Sequence, residues 1–398
     1  MVLTIRGQRD VRVAVTLGNG IILTHSDRDS DDQLAGSPSP HRNIRLIQSK
    51  SSIASLPDIQ DMNENITTYS NNQIGAPAKP TWDESMQPRI QADDRPFDAI
   101  LFGADANVVK PLGVVLASLR HVLRRPVSVF VLHDDIGGAD QEMLHRCGGE
   151  LLNIEFLTVP NEALRDELLP EHLPRAALFR LLLAEMLPST VRRVLYLDCD
   201  VLVLDDPAGI SEPADAHDPT PAIAAVRDPF RPWIGGPPPL PWREVGADAR
   251  SPYFNSGVML VDVQRWSAER VAQRALELLQ AHRMPFADQC ALNLVLDGQW
   301  GELDHRWNIQ VAHTRGDKYL AWTYSDPSAL KSALSNPAVL HFTGVDKPWR
   351  VGPVSPWAER WFEVLDRSTP WSGWRPPPKP RRSLARRLID RLSLPFSS

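Results

Sequence analysis

The sequence is poor in the features that define several protein classes. It holds only 3 cysteines in 398 residues, Cys147, Cys199 and Cys290. They are odd in number, widely spaced and never arranged as CxxC, so neither a disulfide framework nor a cysteine-based zinc site is expected. No apolar run reaches the roughly 18 residues that span a bilayer. The start, Met1-Val-Leu-Thr-Ile-Arg-Gly7, is too polar and interrupted for a signal peptide. Without a secretory route the sequon Asn65-Ile66-Thr67 carries no meaning, and a reduced, cytoplasmic protein is expected. Positive charge is also short. The 43 Lys+Arg against 49 Asp+Glu give −6, which argues against nucleic acid as a partner. Proline is plentiful: 36 residues, about 9%, against an ordinary ~5%. Loops and tails must therefore accompany a core that 398 residues at 42% hydrophobic can readily build.

Three segments of different character follow. In residues 1–95, the alternation at Val11, Val13, Val15 and Leu17 before Gly18-Asn19-Gly20 predicts a hairpin. The remainder of that segment is rich in Ser, Asp, Asn, Gln and Pro and reads as a disordered linker. Residues 96–352 read as an α/β domain. Strands at 98–102, 126–132, 153–159 and 194–197 alternate with helices at 108–123, 139–147 and 175–187, a rhythm that predicts a mostly parallel sheet. Residues 353–398 hold a C-terminal helix and a Pro/Arg-rich tail. Positions 371–398 carry seven basic groups and the single acid Asp390, a local +6 that leaves −12 for residues 1–370. Leu384, Ala385, Leu388, Ile389 and Leu392 fill one arc of a helical wheel opposite Arg382, Arg386, Arg387 and Arg391. Such a helix suits an anionic membrane surface.

Ligands of parallel sheets sit beyond the carboxyl ends of the strands. At one such end stands Val194-Leu-Tyr-Leu-Asp198-Cys-Asp200. Two carboxylates this close repel unless a cation lies between them, and Mg²⁺ or Mn²⁺ there would also bridge the oxygens of a diphosphate. Two activities share an Asp-x-Asp after an apolar strand. In haloacid-dehalogenase-type phosphatases the first acid, here Asp198, is a nucleophile; in nucleotide-sugar transferases both acids serve a metal. The motif lies on about the fourth strand and is followed by Val201-Leu202, which favours the transferase.

Further segments occur in one order: Phe102-Gly-Ala-Asp105-Ala-Asn107, Ala177-Leu-Phe-Arg180, Tyr196-Leu-Asp-Cys-Asp200, Phe254-Asn255-Ser-Gly257, Asp288-Gln289 and His341-Phe-Thr-Gly344-Val-Asp-Lys347-Pro-Trp349. Together they resemble glycosyltransferase family 8, retaining transferases that include bacterial lipopolysaccharide galactosyl- and glucosyltransferases and glycogenin. The resemblance covers roughly residues 97–350.

It implies an α/β GT-A fold, a UDP-sugar donor and Mn²⁺, with Mg²⁺ as the other candidate ion. Asp198, Asp200 and His341 would be the metal ligands, a mixed O/N set that suits Mn²⁺. Ala104, Asp105 and Asn107 would lie against the donor, the two polar residues reading uracil and ribose. Val108 stands where the family commonly stacks an aromatic on the base. Arg180 would hold a phosphate or the sugar, its ordinary alternative being a surface salt bridge. Asn255 and Asp288 would bind sugar hydroxyls. Gly344 would let the backbone approach the diphosphate, and Lys347 would neutralise it. Gln289 would occupy the position beneath the anomeric carbon, as the family's Gln does. Its amide is a poor nucleophile, so the resemblance implies a front-face reaction, with Asp288 as nucleophile the runner-up.

The Pro/Trp-rich loop 227–253 offers Trp233 and Trp242 as acceptor walls, since indole faces stack on sugar rings. The expected activity is transfer of glucose or galactose from a UDP-sugar to a glycan or glycolipid such as lipopolysaccharide, at the inner face of the cell membrane. The alternatives are the phosphatase and an inactive membrane-tethered scaffold.

Overall fold

The computed structural model describes residues 12–17, 21–26, 96–164, 174–211, 221–311, 327–344, 347–353 and 355–377. The chain divides into two units, Met1–Asn72 and Gln73–Ser398. In the first, β1 (Arg12–Leu17) and β2 (Ile21–Ser26) pair antiparallel, with Leu17 opposite Ile21. That is the hairpin expected around Gly18-Asn19-Gly20. The linker after it and the basic tail from residue 378 lie outside the described residues.

In the second unit the expected alternation of strand and helix is present. Strands β3 (Ala99–Gly103), β4 (Val127–His133), β5 (Leu152–Thr158), β6 (Arg193–Leu197), β8 (Ile223–Arg227), β9 (Phe254–Asp262) and β10 (Gly301–Glu302) form one sheet in the order β10-β8-β9-β6-β3-β4-β5. Six of the seven run the same way and β9 runs against them. Both faces are covered, which is why the strand sequences are nearly continuous in apolar residues. Ala99, Leu101, Phe130, Leu132, Val194 and Tyr196 pack on one side. Their neighbours Ile100, Phe102, Val129, Val131, Leu195 and Leu197 pack on the other, the two-residue period of a pleated strand.

The chain runs outward from β3 to β4 and β5, then returns to β6 on the other side of β3. The crevice beyond β3 and β6 is thus the point where strand order reverses, the preferred ligand site of such sheets. Helices α1 (Val109–Val122) and α2 (Gly138–Gly148) follow β3 and β4. The segment expected as a helix over 175–187 differs: Arg175–Leu182 is a 3-10 helix and only Leu183–Met186 is α-helical. With three residues per turn, Ala177, Arg180 and Leu183 share one row, and Arg180 Nε folds back onto the Ala177 carbonyl at 3.1 Å.

A second, three-stranded sheet, β11-β12-β7, is built from β7 (Val201–Val203), β11 (Ile309–Gln310) and β12 (Val339–His341). β12 runs antiparallel to β7 with His341 opposite Val201. Helices α3 (Val271–Ala281) and α4 (Ala287–Leu296) follow β9. Helix α5 (Pro356–Ser368), capped by Ser355 with Pro at its first position, buries Trp361, Phe362 and Leu365 with Val114, Leu202 and Leu340. Trp266 and Trp361 are fully buried, as expected of packing tryptophans. Among the described residues no helix is long and apolar enough to cross a membrane.

Candidate active site

Three elements bring the acidic cluster together. β6 ends at Leu197, so Asp198 and Asp200 leave the carboxyl edge of the sheet. The β7–β12 pairing then returns His341 to them, with the Phe342 amide donating to the Asp200 carbonyl at 2.9 Å. A β-bulge supplies the third side. Between Ala225 and Val226 the partner on β9 jumps from Met259 to Asn255, which frees Ser256 and Gly257 to face the site. The Gly257 carbonyl accepts from the Asp198 amide at 2.9 Å.

One oxygen or nitrogen from each of Asp198, Asp200 and His341 lies within 4.8 Å of the others. His341 Nε2 is 3.0 Å from Asp200 Oδ1 and 3.7 Å from Asp198 Oδ2. Asp200 Oδ1 is buried and makes no hydrogen bond of good geometry; the imidazole Nε2 that faces it at 3.0 Å is placed as a second ligand of a shared ion would be. Two carboxylates and an imidazole whose Nδ1 is held by Asn308 at 2.9 Å fit a divalent cation. Burial opposes ionisation of Asp200, but Lys347 and His341 outweigh it and hold its pKa far below the usual carboxylate range.

Lys347 Nζ donates to Asp200 Oδ2 and to the Phe342 carbonyl. Gly344 takes φ 77°, with open space where a Cβ would point, so backbone conformation makes glycine suitable here. At Gly257 the constraint is space. A Cβ there would stand 2.2 Å from His341 Cε1 and 2.8 Å from Asp198 Oδ2. Gly257→Ala is expected to displace the imidazole and weaken Mn²⁺ binding about 10-fold or more, the scale of disturbing a ligand's support. Electron paramagnetic resonance titration of Mn²⁺, beside an unchanged circular dichroism spectrum, would check this.

Arg180 is only 5% exposed, so it is not a surface salt bridge. Its Nη2 reaches Asp198 Oδ1 at 2.7 Å, its Nε reaches Asp288 Oδ2 at 3.0 Å, and its Nη1 donates to the Ser256 carbonyl and Oγ at 2.7 and 2.9 Å. Tyr196 Oη donates to the same Asp198 oxygen at 2.9 Å. Burial pushes the Asp288 pKa up to about 6 even with Arg180 opposing it. Asp288, 4% exposed, faces inward onto Arg180.

Gln289 is pinned at both ends of its amide. Its Oε1 accepts from the Ser256 amide and Asn255 Nδ2, each at 3.1 Å. Its Nε2 lies 3.3 Å from Tyr253 Oη and 3.4 Å from Asp228 Oδ2. Asp228, 6% exposed, also accepts from Asn255 Nδ2 at 3.3 Å, and burial raises its pKa. Sequence reasoning passed over Asp228, although it ends the apolar strand β8 at the sheet edge that singled out Asp198. Tyr196, Ser256 and Asn308 were missed as well; no local pattern marks a residue that acts by bonding to another.

At the end of β3, Asp105 is half-buried and accepts from the Asn107 amide at 2.9 Å; Asn107 is exposed and Ala104 buried. The large hydrophobics most exposed among the described residues are Phe230, Trp233 and Phe286. Phe230 donates its amide to Asp228 at 2.8 Å, and the Phe286 carbonyl accepts from the Gln289 amide at 2.9 Å. Each is thus tied through its backbone to one member of the Asp228–Gln289 pair. Trp233 lies 39% exposed with Arg227 over its ring at 5.5 Å. Trp242 packs half-buried against the core, and Arg243 stacks on it at 4.0 Å.

A mostly parallel sheet with an acid-imidazole cluster at its switch point is the arrangement of a GT-A glycosyltransferase, and the likeness to known structures agrees. Residues 99–351 match the model of Glycosyl transferase family 8, and the chain belongs to that family. It is 28% identical over 283 residues to General stress protein A of Bacillus subtilis, covering 68% of this chain and 93% of that protein. It is 25% identical over 292 residues to the lipopolysaccharide 1,3-galactosyltransferase of Salmonella typhimurium, covering 69% and 79%. Glycosyltransferase GlyB of Streptococcus pneumoniae is 29% identical over 278 residues, and the chain spans 60% of its length. Among solved structures, the galactosyltransferase LgtC in complex with donor and acceptor sugar analogues aligns with TM-score 0.54 and 26% identity, over 67% of this chain and 95% of that one. The phosphatase and scaffold alternatives gain no support from these likenesses.

Proposed function

We propose that this enzyme transfers a hexose, glucose or galactose, from a UDP-sugar to a saccharide or glycolipid acceptor with retention of configuration, using Mn²⁺ (or Mg²⁺) on Asp198, Asp200 and His341. The observation that carries the reading is the cluster itself, two carboxylates and one imidazole with an oxygen or nitrogen of each within 4.8 Å of the others, at the sheet's switch point. A lipopolysaccharide acceptor is supported by the names of two relatives, the 1,3-galactosyltransferase and the lipopolysaccharide 1,2-glucosyltransferase of Escherichia coli.

The metal, when bound, would supply positive charge for the diphosphate of the leaving UDP. Lys347, beside Asp200, adds a second cation for the same oxygens. Asp105 and Asn107 would hold the uridine, with Ala104 beneath them. Arg180 fixes Asp198 and Asp288, and with Asn255 it would orient sugar hydroxyls. Gln289 already accepts two hydrogen bonds at Oε1, which further lowers its nucleophilicity, and Asp288 is occupied by Arg180. Both facts favour the front-face course, in which the acceptor hydroxyl attacks from the side the UDP leaves and its proton passes to the departing phosphate oxygen. Phe230, Phe286 and Trp233 would receive the acceptor ring, with Trp242 as an outer support.

Three segments make up the proposed organisation: an N-terminal extension (1–95), the catalytic domain (96–352) and a C-terminal helix with a basic tail (353–398). The +6 charge and amphipathic pattern of residues 371–398 support attachment to an anionic membrane from the cytoplasmic side.

The test is a panel of UDP-sugars with Mn²⁺, scored for UDP release. Turnover of UDP-glucose or UDP-galactose that stops with chelator is expected. Phosphate release from simple phosphomonoesters with no UDP-sugar turnover would establish the phosphatase instead, and neither activity would leave the scaffold.

A further inference from the structure

Asn308 is 4% exposed, ends the turn His305–Asn308, and directly precedes β11, the strand beside His341. Its Oδ1 lies 2.9 Å from His341 Nδ1, and its Nδ2 lies 2.9 Å from Asn255 Oδ1. The direction of this chain is set by a group that can only donate. The Gly257 backbone N–H donates to Asn255 Oδ1 at 3.1 Å, which identifies that atom as the amide oxygen. Asn308 must then offer its NH₂ to Asn255 and its oxygen to His341. His341 Nδ1 consequently carries a proton, which leaves Nε2 to face Asp198 and Asp200. The same orientation of Asn255 directs its Nδ2 to Gln289 Oε1 at 3.1 Å.

We infer that Asn308 is a positioning residue that fixes the tautomer of His341 for a divalent cation and, through its other arm, aligns Asn255 and Gln289 for the transferred sugar. Each amide in the chain has one accepting and one donating end. Reversing any member therefore mismatches the bonds at both of its ends, and the metal-holding and sugar-orienting groups form a single hydrogen-bonded unit. The inference rests on the reading of Asp198, Asp200 and His341 as metal ligands.

Two variants of the full-length chain separate the two arms. Asn308→Ala removes both, and Mn²⁺ affinity measured by electron paramagnetic resonance without UDP-sugar should weaken about 10–100-fold, the usual cost of losing an outer-shell partner. Asn308→Asp can still accept from His341 Nδ1 but cannot donate to Asn255 Oδ1. Its Mn²⁺ affinity should stay within a few-fold of wild type while kcat for UDP-sugar turnover falls. Melting temperatures of both variants accompany the measurement, because a purely structural role would lower affinity and turnover together in the two variants. Wild-type Mn²⁺ affinity in Asn308→Ala overturns the inference, as does equal loss of affinity in both variants or wild-type kcat in Asn308→Asp. A wild-type enzyme that binds no Mn²⁺ would sink the metal reading, and this inference with it.

Discussion

Asp200→Asn is expected to remove Mn²⁺-dependent turnover almost completely, by more than the ~10–100-fold typical of an outer-shell partner. The amide has nearly the volume of the carboxylate, so the fold should persist. It cannot ionise, however, and it turns an NH₂ either toward His341 Nε2 or toward Lys347 Nζ. Asp200 Oδ1 faces His341 Nε2 at 3.0 Å, and Oδ2 is the partner of Lys347. A single change would therefore take the charge from the proposed metal ligand and, when the NH₂ faces Lys347, lose the bond to that cation as well. Mn²⁺ titration and UDP release should fail together. Normal Mn²⁺ affinity in Asp200→Asn would remove this carboxylate from the metal site.

Arg180→Ala should be the most destabilising single change in the site. The guanidinium is the shared counter-ion of Asp198 and Asp288, with side-chain exposures of 6% for Arg180, 23% for Asp198 and 6% for Asp288. Truncating one member of a buried ionic cluster leaves uncompensated charge and costs about 3–5 kcal/mol. Urea unfolding should register a loss of that order. Arg180→Lys should recover only part of it, because one ammonium cannot span two carboxylates and the Ser256 carbonyl as the planar fork does. A midpoint within experimental scatter of wild type for Arg180→Ala would refute the bracing role.

The alternation of apolar strands and amphipathic helices made the sheet legible in the sequence, because strands buried on both faces have little freedom to be anything but apolar. Asp198 and Asp200 were legible for a related reason: charged residues directly after such a strand must stand at its edge. His341 is different. Nothing local joins it to Asp200. It arrives through the antiparallel pairing of β12 with β7, and only the family resemblance anticipated it. The length of the helix after Pro174 was misjudged, since a run such as Arg175-Ala-Ala-Leu-Phe-Arg-Leu-Leu is apolar enough for an α-helix. Asn308 was invisible because its importance is relational, lying in two bonds to residues distant in the chain.

Every role proposed for the site serves retaining transfer from a UDP-sugar. It is tested most directly by proton magnetic resonance of UDP-α-glucose or UDP-α-galactose incubated with enzyme and Mn²⁺, with water as the acceptor. The first hexose released should be the α anomer, ahead of mutarotation, and chelator should stop its appearance. Initial release of the β anomer, or release that continues without metal, would contradict it.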